Sequence, residues 1–418
     1  MTDYPTHTLA NGLRIVLHPS ASQVVYCGIA VGAGTRHELP GEEGLAHFCE
    51  HLAFKGTRRR TAVQIINTLE GVGGELNAFT GKEDTVYYAV TTRQHLRQAV
   101  SVLTDIVFES QYPPQEVEKE REVVCDEIES YEDTPAELIF DEIENILFEG
   151  HPLGHNILGT SSQVRGYGQA DARRFVSRHY KPANSVFFAS GNIEMATLVK
   201  MLEASLQHLG FLPEKPGKTD RADCPDSSER LMLPARPGLI TRQRGTHQAH
   251  VIMATPTFPA SDPRRWTLFL LNNLLGGPGL NSRLNIALRE RRGLVYTVES
   301  SMTTYSDTGL WTVYFGCDPH DVARCQRLVQ SELSRMAERP LTESQLRKAR
   351  LQLRGQLCIG AENREQQALD MGRSFLHEGR VRTVDEVLGL VDQLTPAQLQ
   401  QLAGELFAPD RLTTLIYD

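Results

Sequence analysis

The plan of this chain is written twice, and that repetition limits the folds open to it. An amphipathic helical stretch, Asp171 to Tyr180, runs into Lys181-Pro182-Ala183-Asn184 and then a strand, Ser185 to Ala189. Near the other end a helical stretch, Ala397 to Phe407, runs into Ala408-Pro409-Asp410-Arg411 and a strand, Leu412 to Tyr417. A helix–proline–strand unit closing each half points to a duplicated domain. Halves of about 200 residues each are ordinary domain sizes. The segment Pro213 to Glu229 (PEKPGKTDRADCPDSSE) is polar and proline-rich, as a linker should be. The expected division is therefore 1–212, a linker over 213–230, and 231–418.

Within the first half, Leu13 to Leu17, Val24 to Val31 and Thr85 to Thr92 (TVYYAVTT) read as strands, rich in β-branched and aromatic residues. Helical patterns occupy roughly 61–71, 93–109, 114–131 and 136–148. Hairpin-length connections, without regular βαβ spacing, favour an α+β fold. Each half is expected to be a largely antiparallel sheet packed with helices.

Net charge is −9, and the only basic run is the short Arg58-Arg59-Arg60 turn. A nucleic-acid partner is not expected from that balance. No apolar run reaches membrane-spanning length. Met1-Thr2-Asp3-Tyr4-Pro5 has neither a secretory nor a transit pattern. Seven scattered cysteines without a CxxC spacing suit reduced thiols in a cytoplasm.

Chemistry concentrates at His47-Phe48-Cys49-Glu50-His51, an HxxEH pattern. On a helix, positions i and i+4 share a face, so His47 and His51 would present two imidazoles to one metal ion. Glu50 is adjacent and suited to act as general base toward water. Two imidazole nitrogens, one carboxylate and a position open to water make a catalytic zinc site. Pro40-Gly41 upstream, Glu42 and Glu43 in a first turn, and Gly56 as a stop all fit a helix here. Cys49 faces away from the histidines and reads as packing.

The best supplier of a third ligand is Glu116 to Glu129 (EVEKEREVVCDEIE), a helix after Pro113-Pro114. Glu120 and Glu127 fall on one face with Val123 and Val124, and Lys119, Glu122, Asp126 and Glu129 on the other. A carboxylate among valines is costly unless paired or metal-bound. An exposed acidic helix is an equally good reading of composition alone. His151 and His155 are also four apart, but Pro152 and Gly154 argue for a loop and no second metal site. Gly276-Gly277-Pro278-Gly279 reads as a tight turn; no GK[ST] follows to make a phosphate loop.

HFCEHLAFKGT, followed 76 residues after its second histidine by the glutamate of REVVCDEIESYEDTP, resembles the pitrilysin/insulinase family of inverzincin zinc metallopeptidases. The likeness is to its short branch, which contains the mitochondrial processing peptidase and bacterial relatives. It extends through GVGGELNAFTGKEDTVYY (71–88), HPLGHNILGT (151–160) and NSRLNIALRERRGLVYTV (281–298). The resemblance implies Glu127 as third zinc ligand, one Zn²⁺ per chain, and Glu120 as a supporting acid. It implies that Asn77, Ala78 and Phe79 form an edge strand that pairs with substrate backbone. It implies that Arg289 and Tyr296, seven apart, hydrogen-bond the substrate carbonyl and stabilise the oxyanion. Substrates would be peptides or unfolded segments taken into a closed chamber, and the active species a homodimer. The alternative is a non-catalytic scaffold or partner subunit, against which the intact HxxEH argues.

Overall fold

The computed structural model describes residues 4–207 and 233–418; the expected linker, 213–230, lies outside them. Strands are β1 (Thr6–Thr8), β2 (Arg14–Pro19), β3 (Val24–Val31), β4 (Glu75–Thr80), β5 (Thr85–Thr92) and β6 (Ser185–Gly191). A second set follows: β7 (Gly238–Arg242), β8 (Ala249–Thr257), β9 (Val295–Thr304), β10 (Gly309–Cys317) and β11 (Thr413–Tyr417). The earlier helices are α1 (Leu45–Ala53), α2 (Ala62–Glu70), α3 (Leu96–Phe108), α4 (Pro114–Glu132), α5 (Pro135–Leu147), α6 (Ser161–Val164), α7 (Gln169–His179) and α8 (Met195–Gln207). The later ones are α9 (Arg265–Gly276), α10 (Val322–Glu338), α11 (Glu343–Gly360), α12 (Arg364–Glu378), α13 (Val384–Asp392) and α14 (Pro396–Leu406). No helix among the described residues is long and apolar enough to cross a membrane.

The duplication is explicit in the strand order. The first sheet runs β1-β2-β6-β3-β5-β4 and the second β7-β11-β8-β10-β9. In each, one pair is parallel (β2 with β6, β7 with β11) and the others are antiparallel. The fold is α+β, two sheets each packed with helices.

The described residues form two compact units, and their borders do not follow the linker. Ser130–Gly154, which carries α5, belongs with the second sheet, and Ala361–Val381, which carries α12, belongs with the first. The expected contiguous halves, 1–212 and 231–418, are corrected to that extent. The cause is the need to cover both faces of each sheet. All seven residues of β6 and all nine of β10 are buried, as strands between two layers must be. In the first unit, Ile15, Leu17, Ile29, Val31, Tyr87 and Phe187 face the main core. The alternate residues Val16, Ala30, Val86, Val186 and Phe188 point to the other face, as strand periodicity requires. Ala368, Leu369, Met371 and Leu376 of α12 cover them. The helix approaches closely at Gly372, where any Cβ would collide with the Phe188 ring. In the second unit α5 does the equivalent, packing Leu138, Ile139, Ile143 and Leu147 against Ile252, Ala254, Leu310, Tyr314 and Leu415.

Candidate metal centre

Helix α1 starts later than its acidic neighbours suggest. Its first residue is Leu45, after Gly44 at φ +90°. A Cβ there would sit 2.5 Å from the Leu158 carbonyl oxygen, so the position favours glycine twice over. The charge at the helix start comes from Glu38, not from Glu42 or Glu43. Glu38, whose side chain is fully buried, accepts from the Gly44 amide at 3.1 Å and the Ala46 amide at 2.7 Å. The Nε2 of His155 stands 2.9 Å from the same oxygen that takes the Gly44 amide, Oε2. Glu42 instead holds Arg178 and the Leu39 amide. Stretch 151–160 is a loop, and its two histidines take separate carboxylates: His155 takes Glu38, and His151 takes Asp307 at 3.2 Å.

One turn into α1, His47 and His51 lie side by side, ring centroids 4.5 Å apart. Helix α4 brings Glu127 against them, its carboxylate oxygens 3.7 Å from His47 Nε2 and 3.3 Å from His51 Nε2. One donor atom from each of the three residues lies within 4.8 Å of the others. Glu120, two turns earlier on the same face of α4, is buried and meets the other edge of His51, with Nδ1 at 2.9 Å. An ionised carboxylate only accepts, so the protonated His51 ring donates its Nδ1–H to Glu120 and its Nε2–H to Glu127; loss of the Nε2 proton would free that nitrogen for a metal. The second oxygen of Glu120 takes Lys55 Nζ at 2.7 Å. Glu50 is buried, and its Oε2 accepts from the Thr80 hydroxyl at 2.7 Å. Val124 is buried beside Glu120 as expected; Val123 is 48% exposed, at the rim of that face rather than on it. Cys49 is in the core, its thiol raised by burial and donating to Ala172 O at 3.9 Å.

The electrostatics divide the two histidines. Burial, reinforced by the charge of His51, lowers His47 to about 4, so its ring is neutral near pH 7. Burial also acts to lower His51, but its hydrogen bonds to Glu120 and Glu127 outweigh this and raise it to about 9. Burial raises Glu50, against the pull of Thr80. Burial pushes Glu120 up, but bonds from His51 and Lys55 take it below the usual range; the His51 bond does the same for Glu127. The Nδ1 of His47 is buried without a hydrogen-bond partner among the described residues. Such an orphan costs about 1–3 kcal/mol, and it is the opposite nitrogen, Nε2, that is turned toward Glu127.

These residues fit a zinc ion. Two imidazole nitrogens and a carboxylate converge, one imidazole oriented by a further carboxylate, which is the donor chemistry zinc takes. A second acidic cluster, Asp318, His320 and Asp321, is close in sequence and largely exposed, and proximity along the chain accounts for it.

The other expected residues are placed as follows. Asn77, Ala78 and Phe79 lie on β4, which among the described residues is the outermost strand of the first sheet and pairs only with β5 (Asn77 opposite Tyr88). Arg289 and Tyr296 belong to the second unit. Arg289 sits in a π-helical turn, Asn285–Glu290, with its guanidinium 5.9 Å over the Tyr296 ring. Tyr296, at the start of edge strand β9, is 80% exposed. The sequence pattern marks Thr80 only as the end of the expected edge strand, not as the partner of Glu50, and it does not point to the roles of Glu38 or Lys55. Lys55 stands four residues after His51, on the same face of the helix expected from the sequence, where its role could have been read.

A helix-borne pair of histidines with an acidic partner helix defines a metallopeptidase-like site, and comparison with known proteins agrees. Residues 14–161 match the family described as insulinase (peptidase family M16), and residues 168–353 the peptidase M16 inactive domain. An uncharacterized zinc protease of Streptomyces coelicolor is 36% identical over 402 residues, 96% of this chain and 86% of that protein. The uncharacterized zinc protease YmxG of Bacillus subtilis is 32% identical, covering 98% of this chain and 97% of its own. A crystal structure of a protease from Helicobacter pylori superposes with a TM-score of 0.89 at 20% identity, covering 100% of this chain and 99% of that one. The chain belongs to the M16 (insulinase) peptidase family.

Proposed function

We propose that the protein is a zinc-dependent endopeptidase acting on peptides or unfolded polypeptide segments, one Zn²⁺ per chain held by His47, His51 and Glu127. The observation that carries this reading is the convergence of those three donors beside a buried carboxylate, Glu50, that lies outside the donor set. When bound, zinc supplies an acidified water and polarises the scissile carbonyl. Glu50 is the general base. Thr80 occupies one of its oxygens and fixes the carboxylate, leaving the other to take a proton from the attacking water and return it to the leaving amine. Glu120 fixes the tautomer and orientation of His51, and Lys55 keeps Glu120 ionised. The free edge of β4 at Asn77, Ala78 and Phe79 suits an extended substrate, whose backbone would extend the sheet without demanding a sequence. Arg289 and Tyr296 are the donors proposed for the substrate carbonyl, and the working species a cytoplasmic homodimer. All six described cysteines are free thiols, which suits that compartment.

The test is metal content together with turnover of a quenched peptide. Purified protein should carry about one zinc per chain, on three-ligand logic. Glu127→Gln should lose most of it. Full zinc occupancy in that variant would remove Glu127 from the ligand set.

A further inference from the structure

We propose that the second unit carries an oxyanion-binding site at the place where the first unit carries its metal-ligand cluster. The ligand group is a carboxylate or a phosphate.

The two units run through the same sequence of elements. The first goes β3, α1, α2, β4, β5, α3, α4; the second goes β8, α9, the π-helical turn, β9, β10, α10, α11. By that order α9 stands where α1 stands, and α11 where α4 stands. Between α1 and α4 lie the histidines and glutamates. Between α9 and α11 lies a cavity of about 180 Å³. Its lining has the opposite sign. No acidic residue contributes to it; Arg283 and Lys348 do, with Asn273, Asn281, Ser282 and Gln352.

Three features of that lining call for an anion. Arg283 is half-buried yet makes no ion pair or hydrogen bond among the described residues. Burial lowers its pKa, and the acidic influence on it, Glu332, is already held by Arg335 at 2.6 Å. A desolvated guanidinium without a counter-charge is costly, and an oxyanion relieves the cost. Lys348 likewise has no ion pair among the described residues and brings a second positive charge to the same wall. Third, the Ser282 hydroxyl is buried without a hydrogen-bond partner, a donor left over. Asn281 and Gln352 bond one another reciprocally, at 3.2 and 3.1 Å, and so present a fixed amide wall. Two cations, a spare hydroxyl and carboxamides suit a group of two to four oxygens and repel a metal ion. Between the corresponding helices of the duplicated scaffold the lining charge is inverted.

The test uses the full chain, with thermal stability read against ligand concentration, since a ligand of the folded state raises stability by mass action. Inorganic phosphate is one probe. An acetylated dipeptide with a free C-terminal carboxylate is the other, with its amidated form as control. Stabilisation by phosphate alone assigns a phosphate group; stabilisation by the acid peptide but not the amide assigns a chain terminus. Arg283→Gln and Lys348→Gln should each weaken binding by about tenfold, because each removes one charge-assisted hydrogen bond to the oxyanion, with zinc content unchanged. Lys348 is exposed, so its variant should fold even where Arg283→Gln does not. No stabilisation by either probe, or binding untouched in Lys348→Gln, would overturn the proposal.

Discussion

Removing Glu38 should loosen the helix that carries the metal ligands, although Glu38 lies outside the HxxEH pattern. Its carboxylate accepts three bonds: from the Gly44 and Ala46 amides and from His155. Hydrogen bonds to a charged group contribute about 1.5–3 kcal/mol each, and a buried donor left unpaired costs about 1–3 kcal/mol. His155 keeps some solvent access and can find water; the two amides at the helix start are less able to. Glu38→Ala should therefore cost about 3–5 kcal/mol, and Glu38→Gln roughly half that, because the amide oxygen still accepts. In a unit of this size 1 kcal/mol is worth about 2–4 °C, so the alanine variant should melt about 10 °C lower. Trp266 and Trp311, the only two tryptophans, both lie in the second unit, so their fluorescence does not report directly on α1. Calorimetry should show the change, and hydrogen exchange should localise it, with amides 44–53 losing protection first. Zinc affinity should fall with it, because His47 follows Ala46 directly. A Glu38→Ala protein within 1 kcal/mol of the parent, with protection over 44–53 unchanged, would refute this explanation of how α1 is fixed.

Other consequences concern pH and assembly. In zinc-free protein His51 keeps its proton up to about pH 9, and zinc must displace it. Apparent zinc affinity should then rise about tenfold per pH unit between pH 6 and 8. Chelator competition should show this, and Glu120→Gln should flatten the rise; a flat profile in the parent would contradict the assignment. The same raised pKa adds stability to the zinc-free fold that is fully present below about pH 6.5 and fades as pH climbs through about 9. For assembly, chains carrying Glu50→Gln and chains carrying Tyr296→Phe should each be poor enzymes. On the proposal that each site joins His47, Glu50 and His51 of one chain to Arg289 and Tyr296 of its partner, mixed and exchanged chains should recover about a quarter of parental turnover, since half the dimers are mixed and each has one good site of two. Recovery no better than the mean of the parents, with exchange confirmed by mass, would place both motifs of each site on one chain.

Much of the fold could be read in the sequence because it rests on local pattern. The β-branched runs at 24–31 and 85–92 became β3 and β5, and the helical stretches at 61–71 and 114–131 became α2 and α4. The exchange of α5 and α12 between sheets was not legible. Helical periodicity shows that one face is apolar, not which sheet it will cover. At the site, the spacing of His47, His51, Glu120 and Glu127 states their common faces, and the structure brings them together. Glu38 left no such signal. It reaches the start of α1 from six to eight residues upstream through a turn, while Glu42 and Glu43, closer in sequence, are drawn elsewhere or lie outside the helix. Thr80 bonds Glu50 across thirty residues, an interaction only the β4 register creates.

Glu50 is proposed as the base beside a zinc held by its neighbours, and its isosteric variant tests that role. Glu50→Gln is nearly isosteric, can still accept from Thr80, and leaves His47, His51 and Glu127 in place. Zinc content and turnover of a quenched peptide should be measured on the same preparation of this variant and of the parent. The expected result is parental zinc with turnover reduced by about 10²–10⁴-fold or more, the loss of a general base. Parental zinc with parental turnover would contradict the claim and place the base elsewhere.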